Sequence, residues 1–426
     1  MVSGILQLMF NAVDIIVVGR FSGSQALAAV GSTTALINVF INLFMGISLG
    51  ANVLAARYYA AGRDREMSET VHTSIMLALI SGVVMAFVGV FFAKGALELM
   101  DTPADVIDQS ALYMRIYFMG MPFFMLYNYG AAILRAVGDT KRPLYFLTIA
   151  GVINAGLNLV FVIGFKMSVA GVALATIISQ AVSAALVTRS LMLMDGPTQL
   201  HLDRLAIKPH IMRMIIQIGL PAGIQSCMFS LSNVVIQSSV NSFGSIVIAG
   251  NAAGANVGNF VYQAMNTFQQ AVTCFAGQNI GARKLDRVGP GLKAGGTFSV
   301  GLGIVFMMIY LPLANRIISL FLPAGSASGV VDVARGYLFT VVPFYVVVCI
   351  KFVCDSVLRG AGAMRPFMIT TFSDLILRVV LSIALFYVIG NEHGIWMSWP
   401  IGWFLGSGLS VFFYKTGAWR KDLPTL

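Results

Sequence analysis

In a chain this apolar, the ionisable residues that fall inside long hydrophobic runs are the ones placed to do chemistry. Asp14 stands in the first such run, and Gln7, Asn11 and Asp14 follow at i, i+4 and i+7, which puts them on one helical face. A carboxylate at the centre of a membrane helix costs about 2.5–3.5 kcal/mol on insertion scales, so its presence asks for a role. Two are open: gaining and losing a proton, or holding a sodium ion with its oxygens. Lys351 with Asp355 and Asp374 with Arg378 are i, i+4 pairs of opposite charge. They are expected to neutralise each other and stabilise their helices, with Asp355 and Lys351 the second candidate for ion coupling.

Amides and hydroxyls recur in rows: Asn38, Asn42, Ser48 and Asn52; Ser226, Ser230 and Asn233; Asn256, Asn259, Gln263, Asn266, Gln270 and Thr273. Any single one is as well explained as a hydrogen bond between helices. Rows of four to six point to a wet cleft, and the substrate cavity is expected to carry Gln7, Asn11, Asn38, Asn42, Asn233, Asn256, Asn259 and Gln263.

The elements that position these residues follow from composition. Of 426 residues, 58% are hydrophobic and 10% charged, with a mean hydropathy of +0.85. Soluble domains run near 25% charged, so the chain is an all-α polytopic membrane protein with no room for a soluble catalytic domain. Hydrophobic runs broken by charge, Gly or Pro give twelve spans: 1–19, 26–55, 71–93, 110–133, 144–165, 168–192, 214–241, 246–274, 294–321, 336–357, 367–390 and 395–414. The first lacks the basic region and cleavage site of a signal peptide and reads as a span.

Lys and Arg then fall nineteen on one side and five on the other. Strict alternation would be lost with one span missed, so the count is even and both termini are cytoplasmic, in a plasma (inner) membrane. The net charge of +10 is accordingly topological, with no patch for nucleic acid. Cys227, Cys274, Cys349 and Cys354 lie in apolar runs and read as small buried residues. There is no phosphate-binding GxxxxGK[ST] loop, so energy comes from an ion gradient. A GxSxG string at Gly46 to Gly50 suggests an intramembrane serine nucleophile at Ser48, but His72, His201, His210 and His393 lie at span ends or in loops, where none serves as its base or forms a metal cluster.

The basic loops show a duplication. Leu134-Arg135-Ala136-Val137-Gly138 closing with Arg142-Pro143 returns as Leu358-Arg359-Gly360-Ala361-Gly362 closing with Arg365-Pro366. The segments 56–64 and 277–286 also match, so the period is about 220 residues. Six spans per unit make the halves parallel repeats: an N-lobe at 1–194, a cytoplasmic linker at 195–213 and a C-lobe at 214–426. Two such lobes suit alternating access around a midplane site.

With these residues in view, the Asn-Ala-Val-Asp-Ile-Ile-Val-Val-Gly-Arg-Phe run at 11–21, the paired Leu-Arg-x-x-Gly loops and the two-by-six plan resemble the multidrug and toxic compound extrusion (MATE) family over essentially the whole chain. The resemblance implies a cation-coupled efflux antiporter, with no cofactor beyond a coupling H+ or Na+. It carries over an N-lobe cation site made by Asp14, Asn154 in span five and Thr176 in span six. A second span-five position, often Asp in the family, is Asn158 here, which favours one proton on Asp14 over tight sodium binding. Asn154 and Asn158 share a face, and Gln180 lies one turn beyond Thr176, so Asp14, Asn154, Asn158 and Thr176 are also where Na+ would sit. The family's first helix usually carries a proline well before the acidic residue, and that stretch would here precede Met1.

The expected function is export of lipophilic, often cationic, drug-like small molecules by a monomer among membrane lipids. The alternative is a lipid or lipid-linked oligosaccharide flippase of similar lobe plan. A flippase for pyrophosphate lipids asks for a basic cavity, and the basic residues within spans are Arg115, Lys351 and Arg378, two of them with acidic partners one turn away.

Overall fold

The computed structural model describes Val17, Phe21 and residues 23–98, 106–319 and 328–421. Among the described residues every regular element is a helix, as a hydrocarbon solvent that offers no hydrogen bonds requires. The longer ones are α1 (Gly23–Ala60), α2 (Asp64–Glu98), α3 (Ile107–Met119), α4 (Met121–Ala136), α5 (Lys141–Leu159), α6 (Ser168–Met192), α7 (Pro209–Asn241), α8 (Ser245–Gly281) and α9 (Val288–Tyr310). After the short α10 (Ala314–Ser319) come α11 (Ser328–Val341), α12 (Tyr345–Gly360), α13 (Met364–Ile389) and α14 (Glu392–Lys415).

Spans two to twelve of the sequence reading each coincide with one or two of these helices, and the first span lies outside the described residues except Val17. Among the described residues, eight helical segments are individually long and apolar enough to cross a membrane. Several helices run past the expected ends, α2 by about two turns at its start and more than one at its end, because their polar ends continue the helix into the interface.

Spans four and ten are each broken in two. The break between α3 and α4 falls at Gly120 with Pro122 behind it, and a 3-10 turn, Val342–Phe344, carries Pro343 between α11 and α12. Proline has no N–H to give and its ring crowds the carbonyl four residues back, so each span turns there. Both prolines stand at the same point of the repeat.

The repeated loops share one geometry. Gly138 and Gly362 adopt φ of +91° and +67°. In one loop Gly138 N–H donates to the Arg135 carbonyl (3.1 Å) and Asp139 N–H to that of Leu134 (2.9 Å); in the other Gly362 donates to Arg359 and Ala363 to Leu358, both at 2.9 Å. Leu-Arg-x-x-Gly is thus a left-handed helix cap that satisfies the last carbonyls of α4 and α12. Nothing lies within 4 Å of a Cβ built on Gly138. Gly138→Ala is therefore expected to cost only the backbone strain, about 1–2 kcal/mol, read from thermal unfolding of the purified protein.

The chain divides into two compact units, residues 2–224 and 225–426, with the boundary inside α7. In the first, α1 and α7 meet through glycine. A Cβ on Gly46 would overlap the Gly223 backbone, and one on Gly50 would overlap the Ile215 carbonyl. The connection from α6 to α7 is strapped across α2. His201 N–H donates to His72 Nε2 (3.1 Å), whose Nδ1 lies 2.7 Å from the Ser68 carbonyl, and Lys208 N–H donates to Thr73 Oγ1 (3.2 Å). In the second unit Tyr337, Tyr345, Trp396 and Trp403 build an aromatic core around α8, α11, α12 and α14.

Candidate functional site

The sequence-expected residues fall into two groups, one in each unit. Asp14, Gln7 and Asn11 lie outside the described residues. In the first unit, α5 and α6 bring the amides and the hydroxyl together: Asn158 Nδ2 donates to Asn154 Oδ1 (3.2 Å), and Asn154 Nδ2 to Thr176 Oγ1 (3.4 Å), which itself donates to the Val172 carbonyl (2.9 Å). Asn154 and Asn158 are both buried. Directly after Asn158 the helix widens into a π turn, Val160–Gly164, a distortion frequent at functional positions. Thr176 and Gln180 border a small cavity whose other walls include Tyr117, Gly120, Met121 and Phe124, so the break in span four opens onto this group.

The row on α1 divides. Asn38 is exposed and Asn42 half-buried, but Ser48 and Asn52 are buried against α4. Ser48 Oγ donates to the Asn128 carbonyl (3.4 Å) and Asn52 Nδ2 to that of Ala132 (2.6 Å). These two join helices and do not face a wet cleft, which corrects the reading of that row. It also disposes of Ser48 as a nucleophile: in Gly46-x-Ser48-x-Gly50 the glycines make the α1–α7 approach and the hydroxyl is spent on backbone.

On α8, Asn256, Asn259 and Gln270 are exposed and Gln263 and Asn266 half-buried, while Val257, Val261 and Met265 on the opposite face fill the core. This row is the open polar side of the helix as far as Gln270; Thr273 at its end is buried and donates to the Gln269 carbonyl (2.8 Å). On α7, Asn233 is half-buried and its Oδ1 is enclosed without a hydrogen-bond partner.

Among the described residues the second unit holds four buried charges on two helices. Lys351 Nζ donates to Asp355 Oδ2 at 2.7 Å, and Asp355 Oδ1 accepts from Ser410 (2.7 Å) and Thr370 (3.1 Å). Asp355 is therefore saturated, and Ser410 and Thr370 are partners that spacing did not reveal. Their signal was a hydroxyl in an apolar helix. Asp374 Oδ2 lies 3.9 Å from Lys351 Nζ, and its Oδ1 has no partner. The expected Asp374–Arg378 ion pair is not formed. Arg378 instead places its guanidinium over Trp399 (4.4 Å) and Phe229 (5.0 Å), since ring faces compete with a carboxylate for a planar cation. Gly402 and Gly406 of α14 make the room: a Cβ on Gly402 would come within 2.6 Å of Asp374 Oδ1, and one on Gly406 within 2.7 Å of Lys351 Cε.

Comparison with known proteins agrees with this fold throughout its length. The MatE family pattern matches residues 1–160 and 221–384. The probable multidrug resistance protein YoeA of Bacillus subtilis (strain 168) is 29% identical over all of this chain and 93% of its own, and the probable multidrug resistance protein YpnP of the same organism is 27% identical over 99% and 93%. Among solved structures, the outward-facing conformation of a multidrug resistance MATE family transporter of the MOP superfamily superposes with a TM-score of 0.92 at 20% identity, covering 99% of this chain and 94% of that one. That likeness is one of fold.

Proposed function

The chain belongs to the MatE family of ion-coupled multidrug efflux transporters, and within that family we propose that it exports lipophilic organic cations from the cytoplasm across the plasma membrane in exchange for protons. It is a multi-pass secondary transporter and not an enzyme. The proton is taken by Asp14, with Asn154, Asn158, Thr176 and Gln180 around it, and the two lobes, 1–194 and 214–426, alternate their access about the site.

The observation that carries this reading is the buried chain Asn158–Asn154–Thr176 beside a π turn. It supports a proton over sodium because it brings to Asp14 neutral amides and a hydroxyl, joined to one another, and no second carboxylate. A proton needs one carboxylate, which Asp14 supplies, whereas tight sodium binding gains from a second that Asn158 does not provide. The flippase alternative asks for several basic groups free to meet a pyrophosphate, and of the three within spans Lys351 is committed to Asp355 and Arg378 to aromatic rings, which leaves Arg115. Cytoplasmic termini and a monomer belong to the same proposal, the former supported by the basic loops that hold Arg63, Arg142 and Arg283.

The test is export of ethidium from reconstituted vesicles driven in turn by a proton and a sodium gradient. Wild type is expected to export under the proton gradient, and Asp14→Asn to fall at least tenfold, to the level of protein-free vesicles. Retention of more than half the wild-type rate by Asp14→Asn would move coupling elsewhere, and export under sodium alone would exchange the ion.

A further inference from the structure

Arg378 is 0% exposed in a membrane-embedded unit, and Nε and Nη2 of its guanidinium have no hydrogen-bond partner. Four residues away on the same helix, Asp374 Oδ1 also has none. Opposite charges at this spacing ordinarily meet. Here the cation is turned onto Phe229 and Trp399, and a third ring, Tyr262, stands beside both, its centroid 6.4 Å from that of Phe229 and 6.5 Å from that of Trp399. Phe229 and Trp399 are each partly exposed. Two rings on one planar cation, with a third packed against both, make the kind of aromatic cluster that recognises organic cations.

We propose that Phe229, Tyr262 and Trp399 form an organic-cation subsite in which the Arg378 guanidinium is a resident placeholder. An incoming lipophilic cation takes over the ring faces, and the displaced guanidinium swings to the unused oxygen of Asp374. Exchanging one cation for another on the same rings leaves their interaction roughly unchanged, so the new Arg378–Asp374 contact supplies the gain that favours entry. The local charges set the specificity. Lys351 is balanced by Asp355 and Arg378 by Asp374, so the subsite is neutral overall. A small, strongly hydrated ion gains too little there to shed its water, while a large cation with spread charge sheds little. This inference rests on the proposed export of organic cations and assigns that class to a place in the second unit.

The experiment is equilibrium binding of tetraphenylphosphonium to the purified full-length protein in nanodiscs, with tryptophan fluorescence as a second readout. Arg378→Met empties the cluster and is expected to lower Kd at least fivefold. Asp374→Asn removes the acceptor for the displaced guanidinium and is expected to raise Kd at least fivefold. In the double variant Asp374→Asn loses its effect, since there is no guanidinium to receive, and Trp399→Leu added to Arg378→Met abolishes the gain. Arg378→Lys, which keeps the buried charge should the Met variant misfold, stacks less well and is expected to lower Kd at least twofold. A merely structural arginine would leave affinity unchanged or weakened in Arg378→Met and Arg378→Lys, and additive effects in the double variant would equally overturn the proposal. Vesicle export of tetraphenylphosphonium by wild type separates the two readings. Export with no gain in affinity overturns the placeholder alone, whereas neither export nor binding by any of the proteins overturns both.

Discussion

Lys351→Met is expected to destabilise the second unit by about 3–5 kcal/mol, because it leaves two carboxylates in the hydrocarbon-embedded core without their ammonium. Among the described residues, Asp355 would keep only Ser410 and Thr370, and Asp374 would lose the one cation within 4 Å of it. Two hydroxyl donors do not replace a charge at 2.7 Å. The double variant Lys351→Met with Asp355→Leu is expected to recover most of the loss, since a buried pair and an apolar pair of similar volume differ little. The two hydroxyls would not be orphaned by it, as each has a backbone carbonyl 2.8 Å away to which its one proton can turn, that of Gly406 for Ser410 and that of Phe367 for Thr370. Thermal unfolding in detergent decides the matter: a single variant as stable as wild type would mean that the ammonium is not what holds Asp355.

Gly46→Ile should abolish most folded protein. The new side chain would be driven into the Gly223 backbone, and backbone, unlike the end of a side chain, has nowhere to go. Ordinary overpacking costs about 1–3 kcal/mol, and this contact exceeds it because α1 and α7 would have to part along Gly46, Gly50, Gly219 and Gly223 together. The monodisperse peak in size-exclusion chromatography is the readout. Gly301→Ala on α9 is the matched control, since a Cβ there meets nothing within 4 Å, and it should express at least as well as wild type. If both variants behave alike, the glycine contact is not limiting.

The spans, the repeat and the capped loops were legible because each leaves a mark on one stretch of chain. A membrane helix must be apolar for about 20 residues, and a left-handed cap needs its glycine, so Gly138 and Gly362 announced themselves in sequence. What escaped the reading depends on which neighbour a side chain chooses. Asp374 and Arg378 have the spacing of an ion pair, but the length of an arginine lets it reach rings on α7 and α14 that no local pattern connects to it. Gly46-x-Ser48-x-Gly50 reads equally well as a nucleophile motif or as a packing seam, and only the matching Gly219 and Gly223 on a helix some 170 residues later settle it. Similarly, Ser48 and Asn52 continue the polar row of Asn38 and Asn42 in sequence, yet a helix 38 residues long meets different surroundings along its length.

The position of α7 bears on how the chain can be divided. Its first four turns pack with the residues before them and its last turns with the residues after, while the strap from His201 to Lys208 is tied down on α2. Severing the polypeptide within that strap would therefore not yield two self-sufficient pieces. The upstream fragment would be left with a naked glycine seam along α1, and the downstream one with four helical turns that belong to its neighbour's core. Fragment complementation would then depend on those turns finding that seam, and a nick introduced in the strap would be tolerated only after folding had already closed it.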